Sequence, residues 1–256
     1  MTRSPRDFYD SLAADYHRTF LDWDASIARQ AAVFDGLLRG ELDGPGPYRV
    51  LDCACGIGTQ AIGLARAGHR VVGSDLSTVA ATRAAAEAAA RGADLSTAAA
   101  DMRQLPFGRG VFDAVVCADN SIAHLLTTED LEAALREMRR VLRDGGLLLL
   151  TLRDYDEARR TRPASVPPQV SHASDGRTIT FQLWHWHDDG ERYDQEYFQL
   201  LPDGDGWEVR VRHATSRALT RREVTDAVRS AAFTGPTWHA PADSGFYQPV
   251  CVARAA

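Results

Sequence analysis

Lysine is missing from this 256-residue chain: all 29 basic residues are arginine. That excludes a phosphate-loop lysine, a Schiff-base lysine and any lysine general base. No apolar run approaches the roughly 20 residues a membrane span needs. The opening "MTRSPRDFYDSL" has no signal-peptide apolar stretch, so a cytoplasmic location is expected. A basic surface is also missing. The net charge of −6 argues against a nucleic-acid partner. Cysteine is scarce: Cys53, Cys55, Cys117 and Cys251. The first two fall in one strand run and are expected to share a face, but the others are isolated, and a structural zinc site wants four ligands. Reduced core thiols and no metal are expected.

What is present is an ordinary globular composition, 45% hydrophobic and 25% charged. Residues 7–39 carry apolar positions at helical spacing (Ile27, Ala31, Phe34, Leu38), broken by "GELDGPGPY". "YRVLDCA", "HRVVGSD", "FDAVVCA" and "LLLLTL" read as strands. "TQAIGLARAG", the Ala-rich run capped by Ser77 and "TEDLEAALREMRRVL" read as helices, the last stopping at Gly145 and Gly146. Alternating strands and helices predict a doubly wound α/β fold whose mostly parallel sheet is covered on both faces. After "RPASVPP", read as a linker, three strand runs (177–188, 191–201, 207–217) joined by "DDG" and "PDGDG" predict an antiparallel insertion. A helix and a strand end the chain. The expected divisions are a helical lid (1–47), a nucleotide-binding core (48–160), the β insertion (161–217) and a segment completing the core sheet (218–256).

The stretch "VLDCACGIGTQ" (50–60) is a strand running into a glycine turn. Gly56, Gly58 and Ala61 fit a loose dinucleotide pattern. Asp52 weighs against a pyrophosphate at the turn and favours a cofactor bearing an ammonium or sulfonium, such as S-adenosylmethionine (SAM). Asp75 ends the second strand, where a carboxylate can accept ribose hydroxyls. Asp101 follows the third, placed for an adenine amino group with Met102 against the ring. One acid after a strand is ordinarily a solvated loop or cap residue; three at successive strand ends beside a glycine turn are not so explained.

"VLDCACGIGTQ", "VVGSDLS", "ADMRQLPF…FDAVVCADNS" and "RVLRDGGLLLLTLRDYD" resemble the ordered motifs of class I SAM-dependent methyltransferases over residues 48–156. "CADNSIAHLL" and "LRDYD" are similar to motifs of glycine/sarcosine-type N-methyltransferases, and the whole chain resembles actinobacterial enzymes that N-methylate antibiotic intermediates such as lincosamides. The resemblance implies a seven-stranded sheet with one antiparallel strand. It implies SAM contacts from Tyr16, Trp23, Arg29, Asp52, Ala54, Gly56, Gly58, Thr59, Gln60, Asp75, Leu76, Asp101, Met102 and Ala118. It also implies that Arg153 binds a substrate carboxylate, and that Asn120, His124 and Tyr16 stand by the transferring methyl.

Other readings of these residues stay open. Arg153 leaves a buried strand and needs a partner, either a ligand anion or Asp154 or Asp156. Trp184 and Tyr197 either line a pocket or pack the insertion on the sheet, and Tyr247 in "DSGFYQP" is a candidate for the pocket rim. His185 and His187 share a face with no third metal ligand in view. The expected reaction is methylation of a small molecule, an amine in first place, by in-line displacement. A neutral amine needs no base; a hydroxyl would need one, for which His124 is the candidate. The alternatives are O-methylation, a non-catalytic SAM-binding regulator and a nicotinamide oxidoreductase. The oligomeric state is left open.

Overall fold

Four apolar runs that must hide both faces from water, and the more exposed run LSTAA at the sheet edge, become five parallel strands. The computed structural model describes residues 4–173 and 176–256. Residues 1–3 of the expected lid and 174–175 of the expected insertion lie outside them. The core elements are β1 (Arg49–Cys53), α3 (Thr59–Arg66), β2 (Arg70–Asp75), α4 (Thr78–Ala90), β3 (Leu95–Ala99), β4 (Phe112–Cys117), α5 (Thr128–Val141) and β5 (Leu142–Thr151). They are preceded by α1 (Pro5–Leu12) and α2 (Trp23–Glu41). After them come α6 (Tyr155–Thr161), β6 (Ser165–Ala173), β7 (Gly176–Trp186), β8 (Arg192–Asp203) and β9 (Gly206–Arg217). The chain ends with α7 (Arg221–Ser230), β10 (Phe233–His239), α8 (Pro241–Ser244) and β11 (Val250–Ala255).

The main sheet has seven strands in the order β10-β11-β5-β4-β1-β2-β3. β11 runs antiparallel to β5, and β10 antiparallel to β11. The mostly parallel sheet with an antiparallel insertion is the architecture expected. Phe34, Leu38, Leu64 and Ala84 of α2, α3 and α4 pack on one face against Val50, Val116 and Leu149. Leu135 and Met138 of α5 and Val228 of α7 pack on the other, against Leu51, Val115 and Leu150. Because β1 lies between β2 and β4, the connections on its two sides leave to opposite faces. A crevice opens beyond the carboxyl ends of the strands, where open α/β sheets bind ligands.

Three local expectations change. The N-terminal region is two helices separated by a 3-10 turn at Tyr16–Thr19, because two caps start it twice: Ser4 receives the Asp7 amide and Asp22 the Ala25 amide. α5 ends at Val141, and Gly145 and Gly146 lie inside β5. A Cβ on Gly146 would stand 3.0 Å from the Asp113 carbonyl oxygen of β4, so the glycine permits β5 to close on its neighbour. The "RPASVPP" linker is instead the start of a fourth insertion strand. β6 is the edge of the sheet β6-β7-β8-β9, and its pairing skips from Val166 to Gln169. The skipped residues are Pro167 and Pro168, which carry no N–H for a ladder and belong at an edge.

α1 ties the insertion to the core. Phe8 and Leu12 pack on Tyr197 and Ala214 of the insertion, the Ser77 hydroxyl donates to Asp10, and the Arg212 guanidinium donates to the Ser11 carbonyl at 2.8 and 3.1 Å. α2 closes on α3 over Gly63, where a Cβ would lie 2.4 Å from the Ala31 Cβ and 2.7 Å from the Ile27 carbonyl oxygen. Gly63→Ala is therefore expected to destabilise the protein by about 1–3 kcal/mol, the range for overpacking, as measured by denaturant unfolding. An unchanged midpoint would show that the two helices part freely.

Candidate active site

The glycine turn is built by backbone that side chains resist. Ala54, Gly56 and Gly58 have φ of 68°, 54° and 94°. The Ala54 and Cys55 amides donate to the Ser74 carbonyl at 2.7 and 2.9 Å, holding the turn to β2. Asp75 joins two turns: one carboxylate oxygen accepts the Gly56 amide and the other the Ser77 amide, each at 2.8 Å. Burial raises its proton affinity, and the two amides oppose that rise. Each oxygen keeps a second lone pair for a ligand hydroxyl.

Above this turn lies a cavity of about 650 Å³. Ala54, Gly56, Thr59, Gln60 and Tyr16 form its base and side, and Asp75, Leu76, Asp101 and Met102 continue the wall. The Asp101 carboxylate is also held by Arg103 at 2.7 Å, which keeps it below the usual carboxylate range. A second cavity of about 670 Å³ lies between α1, the insertion and the segment before β11. Asn120, His124, Arg153, Tyr197 and Tyr247 line it. Four residues line both: Tyr9, Tyr16, Asp119 and His124.

At this junction the Tyr9 hydroxyl meets His124 Nε2 at 2.8 Å. Burial lowers the His124 imidazole to about 4 and pushes the Tyr9 phenol well up, so both are neutral near pH 7. Asn120 spans two partners: its Nδ2 donates to the Tyr155 hydroxyl at 2.8 Å, and its Oδ1 accepts the Arg153 amide at 3.1 Å. The Arg153 guanidinium lies 5.2 Å over the Trp184 ring. No carboxylate comes within ion-pair reach of it among the described residues, since Asp154 and Asp156 both turn to Arg221. Tyr247 sits 59% exposed at the rim and donates its hydroxyl to Asp119 at 2.6 Å.

Several expected residues lie elsewhere. Asp52 does not reach the mouth of the turn. Its side chain is fully buried on the α3 side of the sheet, and neither oxygen has a hydrogen-bond partner among the described residues. Burial, with Asp119 and Asp75 nearby, pushes its carboxyl up to about 8. Trp23 is buried with its indole N–H on Thr59 at 2.9 Å, off the cavity wall. Gly58 and Ala118 are also off the wall. Arg29 opens on the second cavity and donates to Ser26 at 3.0 Å. Trp184 stacks on Tyr193 at 4.2 Å behind the wall. Cys53 and Cys55 face opposite sides of the sheet, because the left-handed Ala54 between them breaks the strand alternation. His185 and His187 each meet one acid across the strand pair, Glu196 and Asp194, both at 3.2 Å.

The comparisons with known proteins bear on the first cavity. A methyltransferase domain model matches residues 50–146, which span the glycine turn, Asp75, Asp101 and the Asp119–Asn120 turn. Residues 50–146 therefore carry a methyltransferase domain. It is 38% identical over 137 residues to a glycine/sarcosine N-methyltransferase of Parasynechococcus marenigrum, covering 53% of this chain and 47% of that protein. The chain spans about half the length of the curated relatives it matches. The chain superposes on Streptomyces venezuelae DesVI over the full length of both chains, at 21% identity and a TM-score of 0.77. It also superposes on the sugar N-methyltransferase KedS8 of Streptoalloteichus, with 89% of this chain and 87% of that one covered, at 22% identity and a TM-score of 0.71. These two likenesses are of fold. SAM fits the residues present. A Cβ on Gly56 would stand 3.3 Å from Tyr16 Cε1 and narrow the space above the turn, and the free lone pairs of Asp75 face that cavity.

Two junction residues escaped the sequence reading. Tyr9 lies on a helix whose docking over the crevice depends on the insertion, and no local pattern marks it. Asp119 was legible in "CADNS", one residue before Asn120, but the adjacent motif positions drew the roles. The buried Asp52 makes a prediction. Its folded value of about 8 exceeds the unfolded 3.8. Its contribution to stability is therefore whole below the unfolded value and is lost as pH rises through the folded one. The stability advantage of Asp52→Asn over the wild type should grow from near zero at about pH 4 to a few kcal/mol at about pH 9, read by urea unfolding. Parallel pH profiles would show Asp52 to be ionised in the folded protein.

Proposed function

We propose that this protein transfers a methyl group from SAM to the nitrogen of a small-molecule amine held in the second cavity. The observation that supports this is the meeting of two cavities at Tyr9, Tyr16, Asp119 and His124, one above the glycine turn and the other presenting the unpaired Arg153. In this reading Asp75 accepts the ribose hydroxyls, Asp101 takes the adenine amino group with Met102 on the ring, and Arg153 holds an anionic part of the acceptor. Bound SAM supplies a methyl group already activated by its sulfonium. The chain then has to bring acceptor and methyl into line and keep water out. Tyr9 and Tyr16 close the junction from the lid side, and Asn120 fixes the backbone of Arg153. A glycine/sarcosine and a sugar N-methyltransferase among the relatives agree with nitrogen as the acceptor atom. Buried reduced thiols suit a cytoplasmic setting. Among the described residues no helix is long and apolar enough to cross a membrane.

An O-methyltransferase using His124 as base is the competing reading, and the low proton affinity of His124 weighs against it. The test offers the full chain methyl-labelled SAM with glycine, sarcosine, nucleotide-linked amino sugars and their hydroxyl counterparts. Label is expected on nitrogen only, and His124→Gln should cost far less than the ~10²–10⁴-fold typical of losing a general base. Label on oxygen, abolished by His124→Gln, would establish the competing reading.

A further inference from the structure

Asp119 has a placement that the methyl-transfer reading leaves unused. It is the one carboxylate among the described residues that lines both cavities; Asp75 and Asp101 line only the first, and Asp154 only the second. Its two oxygens are each oriented by a neutral donor, the Tyr247 hydroxyl at 2.6 Å and Gln60 Nε2 at 2.9 Å. Gln60 is itself fixed by Gln30 Oε1 at 2.6 Å. Each oxygen keeps a lone pair, and no cation is within ion-pair reach among the described residues. The backbone is strained to put it there. Asp119 and Asn120 have φ of 56° and 70°, two consecutive left-handed residues, and such conformations persist where surrounding contacts over-determine them. Here the end of β5 does so: the Asp119 amide donates to Thr151 Oγ1 at 2.8 Å, and the Arg153 amide donates to Asn120 Oδ1. Burial raises the proton affinity of Asp119, while Tyr247, Gln60 and Arg153 oppose the rise.

We propose that Asp119 receives the acceptor amine as its ammonium ion and removes one proton from it, generating the neutral nucleophile at the point of transfer. This rests on the SAM-dependent methylation proposed above. An N–H bond of the ammonium breaks, its proton passes to an Asp119 oxygen, and the electron pair stays on nitrogen. That pair forms the new nitrogen–carbon bond as the carbon–sulfur bond breaks and its electrons go to sulfur. The product leaves as the protonated methylamine, and Asp119 returns its proton to water. His124 does not compete for the proton, being weakly basic and hydrogen-bonded to Tyr9.

The probe is sinefungin, a SAM analogue with a carbon-bound primary ammonium where SAM has its methylsulfonium, so that a bound ammonium stands at the transfer point without any acceptor. Calorimetry on the full chain compares sinefungin, SAM and S-adenosylhomocysteine. The wild type is expected to prefer sinefungin over S-adenosylhomocysteine by about tenfold or more, the scale of a charge-assisted hydrogen bond. Asp119→Asn should erase that preference, leaving the affinity for S-adenosylhomocysteine and the SAM-to-S-adenosylhomocysteine ratio within about twofold, with Asp119→Glu retaining part of it. No preference in the wild type, which needs no variant to observe, overturns the proposal. So does a preference that survives Asp119→Asn. A parallel fall of the sinefungin and SAM preferences also overturns it, because Asp119 would then read the sulfonium charge. Failure of S-adenosylhomocysteine itself to bind overturns the methylation reading and this proposal with it.

Discussion

The position of β1 between β2 and β4 is the constraint on which the site depends. Parallel strands must be joined by crossovers, and at β1 the crossovers part: α3 leaves to one face and the chain after β4 to the other. No backbone bridges the gap, so the ends of β1, β2 and β4 stand open side by side. The glycine turn, Asp75 and the Asp119–Asn120 turn all come from those three ends. The interactions that hold them run between the turns: Asp75 receives amides from two of them, and Gln60 of α3 reaches Asp119. A displacement of any one strand end would therefore pull on the others.

A core sheet alone leaves this crevice open to solvent. Closure comes from α1 and the insertion, joined to each other by Phe8, Leu12 and Tyr197 and by the Arg212 bonds to Ser11, and to the core by Asp10 and Ser77. The lid brings aromatic rings rather than charge to the junction, while the strand ends bring carboxylates. Asp52, Asp75 and Asp119 lie close enough that Asp119 and Asp75 both raise Asp52. The cation Arg153 faces the second cavity, and the junction between the two sets the neutral Tyr9 and His124, with Tyr16, beside the Asp119 carboxylate. Arg153 in that position suits an acceptor with an anionic part.

The core was readable because local and global signals agree there. Wholly apolar runs, the Ser77 cap and the turn glycines each mark one element, and the parallel order follows from their alternation. Asp75, Asp101 and the glycine turn were readable because a strand end fixes where its last residues go. Asp52 was misplaced by one step of that rule: it lies inside β1, and its alternation points it under α3 instead of into the turn. β6 was missed because Pro167 and Pro168 read as a break, whereas at a sheet edge they cost no ladder bond. Tyr9 was missed because the contact that gives it meaning lies 115 residues away, at His124. What lay beyond reach of the sequence was the packing of the lid, set by long-range contacts with the insertion.

The account stands or falls on the ligand of the first cavity. Calorimetric titration of the full chain with S-adenosylhomocysteine and with NADH, in the wild type and in folded Asp75→Ala, is the direct measurement. The account predicts one S-adenosylhomocysteine site per chain, no heat with NADH, and a loss of about 1.5–3 kcal/mol in Asp75→Ala, the scale of hydrogen bonds to a charged partner. Binding of NADH at the same site, or an S-adenosylhomocysteine affinity indifferent to Asp75, would contradict it.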